Sequence, residues 1–465
     1  MIGSGMVFDS LPLLAELAGL VSQWSVEANI SNADEALTLV SSVDGDLVQA
    51  MTAIEKTLMV STGTRKLTQA ERQSIQNLHL RLTKSNIVDS SSSTASPYSR
   101  GTNAVAGMLG LVEGPAILVQ DQGQLCTAQI PEPQSPSETF KMGNSVLPRI
   151  FSGLWQLSSP AWGSASASKI NDQFSKHIQS GFTAFDMADH YGDAEVIFGS
   201  FRSSFPHKHA IFAATKLCVF QRMTVSQEAI AANIGERCRR LQQQKLDLLQ
   251  FHWQHYDNLE YLDALRHIVQ DPRVGMVGLC NFDTTNMQRV VDEGIKIHSN
   301  QVQFSLVDSR PVERMGTFCV QHNIKLLTYG TLCGGFLSDK WLDKPEPGLY
   351  GGDITPSQRK YFSMICNWGG WALFQELLQV LSEIAEKHKV SISNVATRWV
   401  LDFPYVGAVI VGARMGVSDH SDDNTASFGW RLNEQDQAGI ENILQKSRRV
   451  QIFEQIGDCG AEYRS

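Results

Sequence analysis

The chain has 465 residues, 42% of them hydrophobic and 19% charged, a balance that supports a sizeable core and excludes disorder of the whole chain. A formal net charge of −9 excludes a nucleic-acid groove, which needs a concentrated basic face. Eight cysteines without a CxxC pair exclude a disulfide framework or zinc knuckle and fit free thiols in a reducing, cytoplasmic setting, while the lack of any apolar run of about 18 residues predicts no membrane span.

Near the N-terminus, Leu11 to Val21 is apolar, but Asp9 precedes it and Glu16 interrupts it, so no signal peptide is expected. Helical patterns cover Leu11–Trp24, Asp46–Met59 and Thr68–Leu82, and Ala116–Val119 and Leu125–Ile130 suggest two short strands. Two polar stretches, Ser90 to Asn103 and Pro131 to Glu138, read as linkers. Residues 1–139 are thus an N-terminal region, mostly helical and of unassigned role, that could engage a protein partner.

From about Glu138 onward, short apolar runs alternate with amphipathic helices, the signature of repeated βα units. Phe140–Met142 and Leu147–Arg149 flank Gly143-Asn144 as a hairpin that could plug a barrel floor. Strands are expected at Arg149–Leu157, Thr183–Ala188, Ala210–Leu217, Leu246–Trp253, Val274–Phe282, Ser299–Leu306, Ile324–Leu332 and Ala408–Ala413. Helices are expected at Lys169–Gln179, Ser226–Gln243, Asn258–Val269, Val312–His322 and Leu373–His388. The basic cluster Arg237, Arg239 and Arg240 reads as a solvated helix face. Eight parallel strands with right-handed crossovers close into an α/β barrel, the (β/α)8 or TIM fold, over residues 140–465. A doubly wound sheet is the alternative, but SSPAWGSASAS after the first strand lacks GxGxxG spacing.

In such a barrel the chemistry sits where strands end at the C-terminal rim. Those ends carry Asp186 and Tyr191, then Lys216, then His252, followed by Asn281, Gln301, Ser305 and Tyr329. A phenol titrates near about 10, too high for an efficient proton donor at neutral pH; a nearby ammonium lowers that value, and a carboxylate fixes the ammonium. A histidine beside the phenol can polarise a carbonyl oxygen. No metal is expected, because His252 and His255 stand at a strand end with no evident third ligand.

FDMADHYGDAE from Phe185 to Glu195 resembles the aldo-keto reductase signature, with Asp and Tyr five residues apart. AATKL, LDLLQFHWQ, VGLCNF, NQVQFSL, LLTYGTL and AVIVGAR follow in order. That resemblance implies Asp186, Tyr191, Lys216 and His252 as a catalytic tetrad, with Tyr191 as general acid in the reduction of an aldehyde or ketone. It implies Asn281 and Gln301 on a nicotinamide carboxamide and Tyr329 stacked on its ring. Thr331, Leu332, Arg414 and Asn424 would contact the rest of the cofactor, and Trp155 and Trp253 would line the substrate pocket. Cys280 stands where many relatives have serine, and His420 where an arginine often grips a 2′-phosphate. That leaves Arg414 as the main cation, so NADP(H) is expected ahead of NAD(H). The loop from Cys333 to Trp371 would close over cofactor and substrate. Potassium-channel beta subunits share this barrel, so a regulatory or scaffold role is the alternative reading.

Overall fold

The computed structural model describes residues 138–158, 163–348 and 354–464, and the N-terminal helices and strands expected from the sequence lie outside these residues. The described chain opens with an antiparallel hairpin, β1 (Thr139–Met142) and β2 (Ser145–Pro148), paired from Thr139↔Pro148 to Met142↔Ser145. Its tight turn is made by Gly143, whose φ of +56° suits glycine.

Eight parallel strands then close a barrel: β3 (Ile150–Gly153), β4 (Ala184–Asp186), β5 (Phe212–Val219), β6 (Leu246–Trp253), β7 (Val274–Cys280), β8 (Ser299–Gln303), β9 (Lys325–Tyr329) and β10 (Val406–Gly412). The ring closes where Val409 of β10 pairs with Ile150 of β3. Each of the eight expected strands is present: β6 has the expected bounds, β5 lies two residues further along and β10 begins two residues earlier, and the other five are trimmed at one or both ends. Residues alternate between two faces. Phe151, Ala184, Phe212, Ala214, Leu248, Leu327 and Ile410 pack inside with Phe140, Met142 and Leu147 of the hairpin, so the hairpin fills the barrel floor with side chains.

The opposite faces meet the outer helices. These include α1 (Ala167–Gln179), α2 (Ala194–Ser204), α3 (Gln227–Arg240), α4 (Glu260–Gln270), α5 (Thr284–Asp292) and α6 (Met315–Gln321). The helix α1 starts where Ser166 accepts the Lys169 N–H, and buries Ile170, Phe174 and Ile178. The basic cluster on α3 differs from the solvated face expected. Arg237 is buried and pairs through Nε with Glu195 at 3.1 Å, and Arg240 pairs with the same carboxylate at 2.8 Å. A fully buried Glu195 supplies the compensation that lets those arginines turn inward, and only Arg239 stays exposed, beside Glu236.

The segment from Cys333 to Trp371, expected as a loop, is largely built. It contains α7 (Pro356–Trp368) and runs into α8 (Gly370–His388). A capping box starts α7: Thr355 accepts the Gln358 N–H at 3.2 Å while Gln358 accepts the Thr355 N–H at 2.9 Å. Phe336, Trp341, Phe362, Trp371 and Phe374 form its own aromatic layer. The chain finishes with α9 (Ile392–Leu401), α10 (Ser421–Thr425), α11 (Glu434–Lys446) and α12 (Arg449–Ile456).

Fully buried Arg398 on α9 reaches both oxygens of Glu138, at 2.9 and 3.0 Å, and also pairs with Asp402. Glu138, two residues before position 140, is thereby tied to α9. Among the described residues no helix is long and apolar enough to cross a membrane.

Candidate functional site

Above the apolar floor the barrel interior turns polar. Asp186 at the end of β4 and Lys216 on β5 form an ion pair with Nζ 2.7 Å from Oδ2, and Lys216 also donates to the Met187 carbonyl at 3.0 Å. The other carboxylate oxygen of Asp186 accepts from Gln250 Nε2 at 2.9 Å and from Gln301 Nε2 at 2.7 Å. Gln301 donates further to Gln250 Oε1 at 2.8 Å. Buried polar groups need such partners, and this ring satisfies them. Gln250 was missed in the sequence, although the period-two row Leu248, Gln250, His252 along β6 carries the signal.

Tyr191 follows β4 and stands with its ring centroid 5.0 Å from the Lys216 ammonium. Burial pushes its phenol above the usual value, and Lys216 pulls down against that without winning. The lowering expected from the ammonium is thus present but outweighed, because desolvation disfavours phenolate more than one cation at that range restores. Lys216 itself is held above its ordinary range: burial opposes the charge, and Asp186 more than compensates.

His252 lies in register with Cys218 and Cys280 on the neighbouring strands. Its Nε2 is buried and has no hydrogen-bond partner among the described residues. Burial, followed by the charges of His190 and Lys216, pushes its pKa down to about 3, so the ring is a neutral imidazole at physiological pH. The rings of Phe220 and Tyr463 stand edge-on to it, with centroids 5.5 and 5.8 Å away. Beside it, Asp189, His190 and Cys218 bring ligand-type atoms within 4.8 Å of one another. The Asp189 carboxylate there already accepts the Cys218 N–H at 2.9 Å and faces Arg237 at 3.6 Å, so a guanidinium matches its charge.

Asn281 closes β7 with a left-handed φ of +56°, which asparagine tolerates better than most residues. Its Oδ1 accepts the Tyr329 hydroxyl at 3.0 Å. Cys280 is buried in the same interior row, its thiol pushed up by burial to about 12, which makes it an inert neutral group. Thr331 is buried with its hydroxyl donated to the Phe304 carbonyl at 2.9 Å, and Leu332 stands half-buried next to it. Arg414 is exposed after β10 and makes no ion pair among the described residues, and Asn424 lines a crevice with His420 and His177.

The two tryptophans part company. Trp155 is 40% exposed on the rim turn after β3. Trp253 is 1% exposed, packs with Phe251 in the layer between strands and helices, and donates Nε1 to the His255 carbonyl at 2.7 Å. It stands on the strand face opposite His252 by alternation.

The sequence model of the Aldo/keto reductase family matches residues 149–445. Aldo-keto reductase YhdN of Bacillus subtilis is 26% identical over 317 residues, which cover 64% of this chain and 90% of that protein. Flagellar radial spoke protein 5 of Chlamydomonas reinhardtii is 31% identical over 184 residues, 35% of each chain. Among solved structures, a glycerol dehydrogenase from Gluconobacter oxydans superposes with a TM-score of 0.57 at 22% identity, over 67% of this chain and 97% of that one.

Proposed function

The chain belongs to the aldo/keto reductase family, and from that premise we propose that it reduces an aldehyde or ketone to an alcohol, using NADP(H) in preference to NAD(H). The observation that carries this reading is the Lys216–Asp186 pair buried at the rim with His252 on the next strand and Tyr191 just after β4, 5.0 Å from the ammonium: four chemically matched groups from three successive strands and the segment after the first of them. When bound, a reduced nicotinamide supplies the hydride. The amides of Asn281 and Gln301 and the ring of Tyr329 stand at neighbouring strand ends and suit a carboxamide and an aromatic ring respectively. Arg414, exposed without an acidic partner among the described residues, suits a phosphate.

Around the carbonyl, His252 acts as a neutral donor: with its pKa pushed down to about 3 it polarises the oxygen without carrying charge. Tyr191 releases its proton to the developing alkoxide. Lys216 stabilises the phenolate left behind, and Asp186, held by two glutamine amides, keeps that ammonium in place. The raised value of the Tyr191 phenol keeps it protonated until charge develops on substrate. Trp155 on the rim is positioned to border the substrate. The free cysteines among the described residues fit a reducing compartment such as the cytoplasm.

A second reading, a structural or regulatory role on the same barrel, draws on the likeness to a flagellar radial spoke protein and on the long segment before residue 138. Turnover separates them. A panel of aldehydes and ketones, including a nitrobenzaldehyde, is offered with NADPH and oxidation of the cofactor followed. Cofactor binding without turnover of any member sinks the first reading and favours the second.

A further inference from the structure

After α12 the chain reverses at Gly457 (φ +86°) and runs as a strap over the ends of β7, β8 and β9. It is pinned at several points. Arg310 is 4% exposed; it grips Asp308 through Nε and Nη2, both at 2.8 Å, and reaches Glu462 through Nη1 at 2.9 Å and Nη2 at 2.7 Å. Asp458 accepts the Thr284 N–H at 2.9 Å at the start of α5, and Cys459 is buried. Gly460 passes so close to Asn281 that a Cβ would stand 1.9 Å from the Asn281 carbonyl oxygen, so only glycine fits.

The strap delivers Tyr463. Its hydroxyl lies 3.0 Å from the Tyr329 hydroxyl and accepts from the Lys360 ammonium of α7 at 2.9 Å. Because Tyr329 spends its one proton on Asn281 Oδ1, it can only accept from Tyr463, so the bonds run in one sense from Lys360 through Tyr463 and Tyr329 to Asn281. The Lys360 ammonium also sits 5.6 Å from the ring centroids of Tyr329, Tyr361 and Tyr463. No carboxylate pairs with it among the described residues.

We propose that this strap, latched by Lys360, is an internal competitor of the nicotinamide: Tyr463 and Lys360 hold Tyr329 and Asn281, the groups assigned to the ring and its carboxamide, and must let go for cofactor to bind. The inference rests on the nicotinamide reading above. A competitor of this kind lowers apparent affinity by the fraction of molecules with the strap lifted, and makes lifting a step of its own.

The test compares the full chain with Tyr463→Phe, which removes one hydroxyl and keeps the ring, and Glu462→Gln, which loosens the hold of Arg310. NADPH binding is followed by tryptophan fluorescence at equilibrium and in stopped flow. In the full chain the observed rate should level off with rising cofactor, at the rate of strap lifting. In either variant the plateau should rise and Kd tighten about fivefold or more, the factor that one net hydrogen bond is worth. Unchanged or weaker Kd with an unchanged plateau makes the strap a fixed wall of the site and overturns the latch alone. If neither the full chain nor either variant binds NADPH or NADH, the nicotinamide reading falls and takes the latch with it. Tyr463→Phe decides the matter should Glu462→Gln prove unstable.

Discussion

Lys216 and Asp186 face each other inside the barrel at 2.7 Å with side chains 2% and 4% exposed, so each is the reason the other can stay charged there. Removing one partner strands the other. Lys216→Met is expected to cost about 3 kcal/mol of stability in chemical denaturation, less than the largest effects for broken buried pairs because Gln250 and Gln301 still serve the carboxylate. The double variant Asp186→Asn with Lys216→Met should recover part of that loss. A single variant within about 1 kcal/mol of the parent would mean the pair is not held as two charges.

Tyr191→Phe is expected to lower kcat by at least about a hundredfold while leaving NADPH affinity within about twofold, since the proton is needed only as the alkoxide develops. A variant keeping more than about a tenth of parental turnover would return the role of acid to His252. Steady-state kinetics alongside a binding titration decides.

Acid should weaken the fold through its buried histidines. His177 bonds Ser152 Oγ at 2.9 Å and is pushed by burial to a pKa of about 4. The unfolded chain takes up that proton near about 6.5, whereas the folded chain refuses it until about 4, so stability is full above 6.5 and declines as pH falls through that window. Up to about 3 kcal/mol is at stake for this one group. His177→Gln should flatten the dependence of unfolding free energy on pH between 6.5 and 4, and an unaltered slope would show that the group titrates normally.

For cofactor choice, Arg414→Ala should narrow the preference for NADPH over NADH by roughly tenfold, the loss of one charge-assisted contact with a phosphate. Equal parental affinities for the two cofactors would refute the assignment of Arg414 and the NADP(H) preference together.

The boundary of the barrel is testable to the residue. A chain beginning at 138 keeps Glu138 against Arg398 and should fold and turn over substrate, whereas one beginning at 140 loses both that carboxylate and the first residue of β1. Thermal and chemical denaturation should find the shorter chain weaker by about 2 kcal/mol, the worth of a hydrogen bond to a charged group. Equal stabilities would mean Asp402 alone satisfies Arg398.

Strand positions were readable because each barrel strand is a short apolar run bounded by turn formers, and the rim residues because they break those runs with polar groups at one end. What sequence could not give depends on contacts between distant parts. Glu195 and Arg237 are 42 residues apart, and nothing local says that one will compensate the other in the interior. The depth at which Trp253 packs, 1% exposed against Phe251, is likewise set by the helices outside the strand rather than by its neighbours in sequence. Tyr463 and Lys360 reach the rim from outside the eight strands, through a strap and a helix whose docking is tertiary information only.

The hairpin that fills the floor has a consequence for proton traffic. With Phe140, Leu147, Phe151 and Phe212 packed beneath the ring of Asp186, Lys216, Gln250 and Gln301, the barrel is a blind well lined at the bottom by groups that carry no protons. With Tyr191 as the proposed acid, its phenolate would be reprotonated from above, past His252 and Tyr463, along the same opening by which the alcohol would leave. On that proposal, emptying the well and resetting its acid would share one door, and whatever narrowed that door would slow both.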